Sequence, residues 1–243
     1  MAKLNTNSNA YTIIYASVMV IIVAFLLAFV ASSLKETQDA NVLRDTKSQI
    51  LASLNIREVA DVDAKYEEVI KGENEDGTKI ALIDGEEKLI VPVKGAGLWG
   101  PLWGYVAINK DGQTVFGTFF NHESETAGLG ARIKEQWFQE LFQGKKIFDG
   151  DEVVLGVYKK GKAPAGLSAD SYVDAVTGAT LTSNGVNDMI QKCLTANKDA
   201  IKAFRGGCEG GKPCCKGEGK CHMGEGECDA QADSCCQDTI INE

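Results

Sequence analysis

An uncharged, apolar segment opens the chain and predicts a helix that crosses a membrane. No charged residue occurs from Leu4 to Leu34, and Tyr11 to Val30 is almost entirely apolar. A helix rising about 1.5 Å per residue crosses a hydrocarbon layer of ~30 Å over this length. A cleaved signal peptide is the competing interpretation, but the apolar run exceeds the usual ~7 to 15 residues, and only Lys3 precedes it. We therefore expect a membrane anchor.

Apolar residues recur at helical spacing directly after the anchor. This spacing predicts that the helix continues as a stalk over residues 36–54. Its apolar positions are Val42, Leu43, Ile50, Leu51 and Leu54. Asp63–Ile70 is predicted to form another short helix.

Beyond Gly77 the period of the pattern changes from helical to alternating. Segments typical of strands are Lys79–Ile83, Lys88–Val93, Tyr105–Asn109 and Thr114–Phe120. Asp-Gly and Gly-Glu turns separate them, which favours an antiparallel sheet.

Two helical segments and one more strand complete the predicted domain. Arg132–Phe142 is predicted as a helix, Val153–Tyr158 as a strand and Val186–Phe204 as a closing helix. Apolar residues on one face of the first helix are Ile133, Trp137, Phe138, Leu141 and Phe142. The expected fold class is α+β, with flanking helices on an antiparallel sheet.

The last segment differs in composition from the rest. Residues 206–243 hold seven of the eight cysteines, eight glycines, and three lysines against eight acidic residues, hence a net charge of −5. Because it has few apolar residues to bury, this tail is expected to be disordered unless disulfide bonds or a metal ion cross-link it. The thiols, with His222, leave open a soft-metal or disulfide-forming role. The cysteines are Cys208, Cys214, Cys215, Cys221, Cys228, Cys235 and Cys236.

The whole chain is therefore divided into four parts. They are an anchor region at residues 1–34, a stalk at 35–76, a folded domain at 77–205 and the cysteine-rich tail at 206–243. The 44% apolar and 24% charged content of the 243 residues is typical of a globular protein. A net charge of −9 argues against nucleic-acid binding, which requires basic patches.

The segment DAVTGATLTS, residues 174–183, is the strongest candidate for chemistry. It places four hydroxyl groups and Gly178 just before a predicted helix. A helix N-terminus offers unpaired N–H groups and a partial positive charge, which together suit a phosphate. The Thr180 hydroxyl could contact such a phosphate or be esterified to it. Alternatively, Thr182 or Ser183 caps a helix that starts near Asn184.

This segment resembles the flavinylation motif of the FMN-binding domain family. In that motif an Asp precedes a Thr-Gly-Ala-Thr run whose last Thr is joined to FMN through a phosphoester bond, a position that Thr180 occupies here. By this resemblance Asp174 would be recognised by a magnesium-dependent flavin transferase that moves FMN from FAD onto the Thr.

Two further segments resemble signatures of the same family. The first, HESETAGLG at residues 122–130, has one residue more than the family pattern between His122 and the Glu-Thr pair, and Ala127 replaces a proline. The second, KGAGLWG at residues 94–100, is similar to the segment that packs against the flavin. The alternative interpretation is that Trp99 and Trp103 are ordinary aromatic residues. Under it, the Glu-Thr pair would lie in an ordinary loop.

The resemblance implies a covalently bound FMN and a set of cofactor-binding residues. That set is Leu98, Trp99, Glu125, Thr126, Gly128, Leu129, Asp174, Thr177, Gly178, Ala179, Thr180, Leu181 and Thr182. The role of His122 stays open. No metal site is expected outside the tail, and no hydrolytic triad can be assembled, because Cys193 lacks an activating base and the chain has only two histidines.

Within the family, the single anchor, the stalk and the Gly-Leu-Trp segment are similar to the C subunits of sodium-translocating NADH:quinone oxidoreductases. The resemblance implies an electron carrier without a complete active site of its own. Its implied partners are the B subunit, the iron-sulfur-bearing membrane subunits and the flavin transferase. It also implies an FMN domain on the periplasmic side of the bacterial cytoplasmic membrane, although the lysines and arginines flanking the anchor favour the cytoplasm.

Two alternatives remain. The homologous G subunits of ferredoxin:NAD oxidoreductase complexes share the anchor, the domain and the flavinylated Thr. A protein of another class, a membrane-tethered metal binder that uses the cysteine-rich tail, would need the Thr-rich motif only as a helix cap.

Overall fold

The computed structural model describes residues 9–74 and 76–205 of the chain. Helix α1, Asn9–Ser53, has 45 residues and is therefore about 68 Å long at about 1.5 Å per residue. It is long and apolar enough to cross a membrane. Its buried residues are confined to the C-terminal turn, Gln49–Ser53. Val42 and Leu43 are 66% and 58% exposed, so these two stalk positions do not pack on the domain.

A five-stranded antiparallel sheet forms the centre of the domain. Its strands are adjacent in the order in which they occur along the chain. They are β1 (Ile70–Glu73), β2 (Lys79–Ile83), β3 (Glu86–Ala96), β4 (Pro101–Ile108) and β5 (Val115–His122). Asp84 and Gly85 both have positive φ in the two-residue turn between β2 and β3, as a type I′ hairpin requires. The four strands predicted between Lys79 and Phe120 are confirmed, although β4 begins four residues before its predicted start, and β1 is an edge strand that the sequence did not indicate.

Each face of the sheet is covered by its own hydrophobic cluster. Along β3, Leu89, Val91 and Val93 join the larger cluster, whereas Ile90 joins the smaller one. The end of α1 and helix α2, Val62–Val69, pack on the smaller side, and the later helices pack on the larger side. The predicted α+β class, with an apolar N-terminal helix and helices flanking an antiparallel sheet, is confirmed.

The helix predicted for Arg132–Phe142 is interrupted. A 3₁₀-helix spans Gly130–Lys134, Glu135 is extended with ψ of 141°, and helix α3 is confined to Gln136–Glu140. The break lets Ile133, Phe138 and Phe142 all be buried, and Phe138 and Phe142 pack against Phe120 of β5. Trp137 and Leu141, which helical spacing placed on the same face, are each 40% exposed.

The strand predicted for Val153–Tyr158 is two strands in two small sheets. Strand β7, Glu152–Val153, pairs antiparallel with β6, Phe148–Asp149, whereas β8, Gly156–Tyr158, pairs parallel with β9, Tyr172–Asp174. The chain turns between β7 and β8 because the amides of residues 154 and 155 both donate to the carbonyl of Ile147.

The closing helix begins six residues before its predicted start and is divided in two. Helix α4 spans Thr180–Ala196, and helix α5 spans Lys198–Arg205. At the break, the Asn197 side chain donates to the carbonyl of Cys193 over 2.9 Å. Strand β9 runs toward the loop that precedes α4, which places the Thr-rich segment between the 3₁₀-helix and the end of β3.

The chain divides into two units, Met1–Arg205 and Gly206–Glu243. The predicted metal-binding or disordered tail, including its seven cysteines and His222, lies outside the described residues. In the part of the chain that the structure describes, Cys193 is a free, half-buried thiol.

Candidate functional site

A cleft of about 210 Å³ opens at the N-terminus of α4. Three separate loops line it: the loop between β3 and β4, the loop after β5, and the Thr-rich loop. The lining residues are Leu98, Glu125, Thr126, Leu129, Gly130, Gly178, Ala179, Thr180, Leu181 and Thr182. All of them except Gly130 belong to the predicted cofactor-binding set, so the fold brings the three motifs to one place.

Helix α4 starts without a side-chain cap at Ala179, so the alternative interpretation, in which Thr182 or Ser183 caps the helix, is wrong. Both residues lie buried in the first turn and have other partners. The Ser183 hydroxyl accepts the amide hydrogen of Val176 over 3.2 Å. Thr180 is the first helical residue and is exposed at the cleft. The start of α4 is therefore open to an external anion.

Gly178 sets the geometry of the turn before the helix. Its φ is +82°, a conformation that residues with a side chain rarely adopt. A Cβ atom there would also lie 3.0 Å from Cδ2 of Leu129. The turn therefore requires glycine, and it presents Thr180 beside Leu129.

Three of the side chains that line the cleft with Thr180 are large, apolar and exposed, and Trp99, next to Leu98 in the chain, is exposed as well. Leu98, Trp99, Leu129 and Leu181 are 48%, 67%, 45% and 59% exposed. Several such side chains around one cleft are typical of a binding site, whereas single exposed apolar residues are ordinary. The residues thus fit FMN: an uncapped helix N-terminus suits its phosphate, and apolar walls suit its flat ring.

Glu125 is a buried carboxylate that links the three loops. It accepts the Thr182 hydroxyl hydrogen at Oε2 over 2.6 Å and the Trp99 amide hydrogen at Oε1 over 2.9 Å. Burial acts to raise the pKa of this carboxyl. The hydrogen bonds from Thr182, Trp99 and Leu98 outweigh burial and hold the pKa below its usual value of 4.5. Glu125 is therefore ionised at neutral pH.

Two glycines make room for this carboxylate. A Cβ atom on Gly97 would lie 2.4 Å from Oε1 of Glu125, and one on Gly130 would lie 2.5 Å from Oε2. Neither glycine has a positive φ. They are needed here for space, rather than for backbone freedom as turn residues.

His122 contacts the site through Glu125. Its Nδ1 accepts the Glu125 amide hydrogen over 3.2 Å. This hydrogen bond spans the two residues that separate the histidine from the Glu-Thr pair. Its Nε2 is buried and makes no hydrogen bond of normal geometry with the described residues. A histidine at the end of a strand followed three residues later by Glu was the only signal of this contact in the sequence.

Some predicted site residues lie beside the cleft rather than in it. Asp174 and Thr177 line a neighbouring cleft of about 670 Å³, with Arg132 and Trp137 among its other walls. Trp99 contributes its amide hydrogen to Glu125, and Gly128 provides a positive φ in the turn that leads to Leu129.

Trp103 has a structural role, as the alternative interpretation held. Its indole N–H donates to Oε1 of Gln49 over 3.1 Å and so ties the sheet to the end of α1. Within residues 9–74 and 76–205, no group of three or more His, Cys, Asp or Glu side chains could hold a metal ion.

Comparison with known proteins agrees with this geometry. The FMN-binding domain model matches residues 97–195, which include the cleft. A solved structure of the C subunit of the Na(+)-translocating NADH-quinone reductase from Parabacteroides distasonis is 35% identical, with a TM-score of 0.64. The match covers 69% of this chain and 96% of that chain. The chain belongs to the family of these C subunits.

Other members of this C-subunit family match over shorter ranges. The protein from Chlamydia muridarum is 40% identical over 131 residues, and the one from Vibrio anguillarum is 44% identical over 103 residues. These ranges are 49% and 42% of this chain, and 41% and 40% of the relatives. The chain thus spans less than half the length of the curated relatives it matches. Shewanella oneidensis NqrC, at 20% identity and a TM-score of 0.55 over 66% of this chain and 98% of that chain, shares the fold.

Proposed function

We propose that this chain is the covalently flavinylated electron-transfer subunit of a sodium-translocating NADH:quinone oxidoreductase, with FMN joined by a phosphoester bond to Thr180. The observation that carries the proposal is the exposed hydroxyl of Thr180 at an uncapped helix N-terminus, within a rim of exposed apolar side chains. When bound, FMN supplies one- and two-electron chemistry. The protein has to hold it and tune its potential.

The surroundings of the hydroxyl groups favour Thr180 as the attachment point. Thr182 is 2% exposed and donates its hydrogen to Glu125, and Ser183 is fully buried. Thr177 is exposed, but it lines the neighbouring cleft, whereas Thr180 lines the one with the apolar rim. Thr180 therefore has both access and the helix N-terminus beside it.

The size of the cleft is compatible with a cofactor that is held by a covalent bond rather than by enclosure. At about 210 Å³ it is smaller than the ~300 to 1,000 Å³ of pockets that enclose a ligand. It could hold the phosphate and one part of the flavin, with the remainder lying against the exposed apolar side chains. A phosphoester bond would retain FMN where the shallow cleft alone would release it.

Attachment requires a separate enzyme and a flavin donor. The Thr180 oxygen would bond to the FMN phosphorus of FAD, the diphosphate P–O bond would break, and AMP would leave with the hydroxyl proton taken up by base. Asp174 is exposed beside the Thr-rich loop, a position that suits recognition by a flavin transferase.

In the assembled complex the chain would relay electrons between neighbouring subunits. An open cleft leaves the flavin accessible to partners, which suits transfer between the B subunit and the iron-sulfur-bearing membrane subunits. Helix α1 would anchor the chain in the cytoplasmic membrane and hold the domain on the periplasmic side. Names of the relatives favour this complex over the ferredoxin-linked one, and co-purification of the partner subunits would distinguish the two.

Matched threonine variants test the proposal. The full chain is produced in cells that contain the flavin transferase, and flavin fluorescence is read in a denaturing gel. We expect fluorescence in the wild-type chain and in the control Thr195→Val, an exposed threonine of α4 outside the motif, and complete loss in Thr180→Val, with all three proteins equally abundant. Fluorescence that persists in Thr180→Val, or is missing from the wild-type chain, would contradict the proposal.

A further inference from the structure

The histidine at the end of β5 is a half-buried titratable group that electron transfer by itself does not explain. His122 is half-buried, and its two ring nitrogens have different surroundings. Nδ1 accepts the Glu125 amide hydrogen, and Nε2 is enclosed by protein. An imidazole that accepts at Nδ1 must carry its single proton at Nε2, so the hydrogen bond assigns a neutral ring and its tautomer.

Glu125, whose amide hydrogen His122 accepts, lies at the centre of the site. The Glu125 carboxylate joins the first turn of α4 to the loop between β3 and β4 through Thr182 and Trp99. Its oxygens fill the space that Gly97 and Gly130 leave free. A change in the Glu125 backbone would therefore be transmitted to every loop that surrounds Thr180.

We propose that His122 is a positioning residue of the FMN site: by accepting the Glu125 amide hydrogen, it fixes the carboxylate that holds the three loops around Thr180 together. The proposal rests on the function proposed above. His122 does not line the cleft itself, so its effect on the cofactor passes through Glu125.

The elements around His122 favour the neutral ring. Burial lowers the pKa of the imidazole, and the Lys134 ammonium of the 3₁₀-helix lowers it further. The Glu125 carboxylate and the Ala131 carbonyl act in the opposite direction but do not restore the usual value of 6.5. From the neighbouring strand β4, the residue that pairs with His122 is the uncharged Leu102. Protonation would turn Nδ1 into a donor that faces another donor.

The contact consequently predicts a pH dependence with a definite sign. Because the folded-state pKa is depressed, the stability that neutral His122 contributes is complete above pH 6.5. It is lost as the pH falls through the folded-state pKa. We expect the loops around Thr180 to loosen in mildly acidic solution while the sheet stays intact.

Two variants separate the hydrogen bond from simple packing. In His122→Asn the side-chain oxygen can occupy the place of Nδ1 and accept the same amide hydrogen, but it does not titrate. In His122→Leu the volume is largely kept and the acceptor is lost. Hydrogen exchange read by mass spectrometry reports on the Glu125 and Trp99 amides in the full chain, with the adduct measured by intact mass on the same sample.

We expect these amides to be protected at pH 7.5 in the wild-type chain and in His122→Asn, and to exchange at least tenfold faster in His122→Leu. Below pH 6.5 the protection factor should fall in the wild-type chain and stay constant in His122→Asn. Equal protection in all three proteins, or equal loss in both variants, would overturn the positioning role. A wild-type chain without adduct would instead contradict the flavin proposal, which the exchange data do not test.

Discussion

At the residue scale, the site depends on the ionised carboxylate of Glu125, which is almost completely shielded from solvent. Glu125 is only 7% exposed, yet its oxygens accept hydrogen bonds from a hydroxyl group and from backbone amides. Such charge-assisted bonds are stronger than bonds between neutral groups, and a buried donor that loses its acceptor is costly. Electrostatics at this single side chain therefore contribute to the shape of the cleft.

Glu125→Gln should destabilise the protein although the two side chains have nearly the same shape. The amide nitrogen would place a donor where Thr182 or Trp99 already donates, so one buried hydrogen bond is replaced by a repulsive contact. We expect a loss of about 1.5 to 3 kcal/mol in the free energy of unfolding, measured by chemical denaturation at pH 7.5.

The matched control for this change is Glu123→Gln, on the same loop but exposed. It should stay within about 0.5 kcal/mol of the wild-type chain. The stability that Glu125 contributes is complete above pH 4.5 and is lost as the pH falls through its lowered pKa, so the two variants should converge in acid. A Glu125→Gln protein as stable as its control at pH 7.5 would show that the buried carboxylate is not needed.

At the element scale, the cleft exists because α4 lies close to the sheet. Strand β3 and helix α4 approach each other at Gly185, where a Cβ atom would lie 2.4 Å from the carbonyl oxygen of Ala96. The same approach brings Thr180 toward the loop that contains Leu98. Packing between a strand and a helix thus determines how far apart the walls of the site lie.

Gly185→Ala should destabilise the protein and widen the cleft. Alanine favours a helix over glycine by up to ~1 kcal/mol, but the contact with the Ala96 backbone forces α4 away from β3. We expect a net loss of about 1 to 3 kcal/mol, measured by chemical denaturation. Gly72→Ala, in β1 with no atom within 4 Å of the added carbon, should be nearly neutral. A stabilised Gly185→Ala variant would contradict the close approach.

The elements show what periodicity can and cannot predict. Strands β2 to β5 are rich in β-branched and aromatic residues and have short turns between them, so the sequence predicts them well. Apolar spacing over Arg132–Phe142 also fits a helix, but burial of three aromatic or aliphatic side chains against β5 divides it at Glu135. Packing against other parts of the chain, rather than the spacing within this segment, determines where the helix is interrupted.

The site shows the same limit. Motif resemblance identified residues on three loops, and the fold places most of them around one cleft. It did not indicate that Glu125 joins the loops, because the hydrogen bond from Thr182 spans 57 residues and leaves no spacing in the sequence. The three-residue spacing from His122 to Glu125 is visible, but it does not show that a ring nitrogen accepts the Glu125 amide hydrogen. Apolar spacing placed the start of α4 at Val186, and the alternative with Thr182 or Ser183 as a cap placed it near Asn184; the helix instead begins at Thr180, and both hydroxyl residues are buried in its first turn.

At the scale of the whole molecule, a long exposed helix joins an apolar segment to a folded domain. Residues 12–45 of α1 are exposed, and only the last turn contributes Ile50 and Leu51 to the core. The apolar segment therefore determines the location of the chain, and the folded domain provides its cofactor site.

Removal of residues 1–34 should give a protein that is soluble without detergent and still accepts FMN. The deleted residues make no contribution to the described core, so folding should be unaffected. Incubation with purified flavin transferase, FAD and Mg²⁺, followed by intact mass, measures the adduct. A truncation that also removes Ile50, Leu51 and Leu54 serves as the control and should fail to fold, because each buried aliphatic side chain contributes about 2 to 5 kcal/mol. Aggregation of the protein that lacks only residues 1–34 would show that the anchor is part of the fold.

The most direct measurement of the central claim is fragmentation mass spectrometry of the chain purified from its native membrane. Trypsin leaves Thr177, Thr180, Thr182 and Ser183 on one peptide, so fragment ions must assign the modified position within it. We predict a mass increase of one FMN less one water, carried by Thr180. The same increase on another residue, or an unmodified peptide, would contradict it.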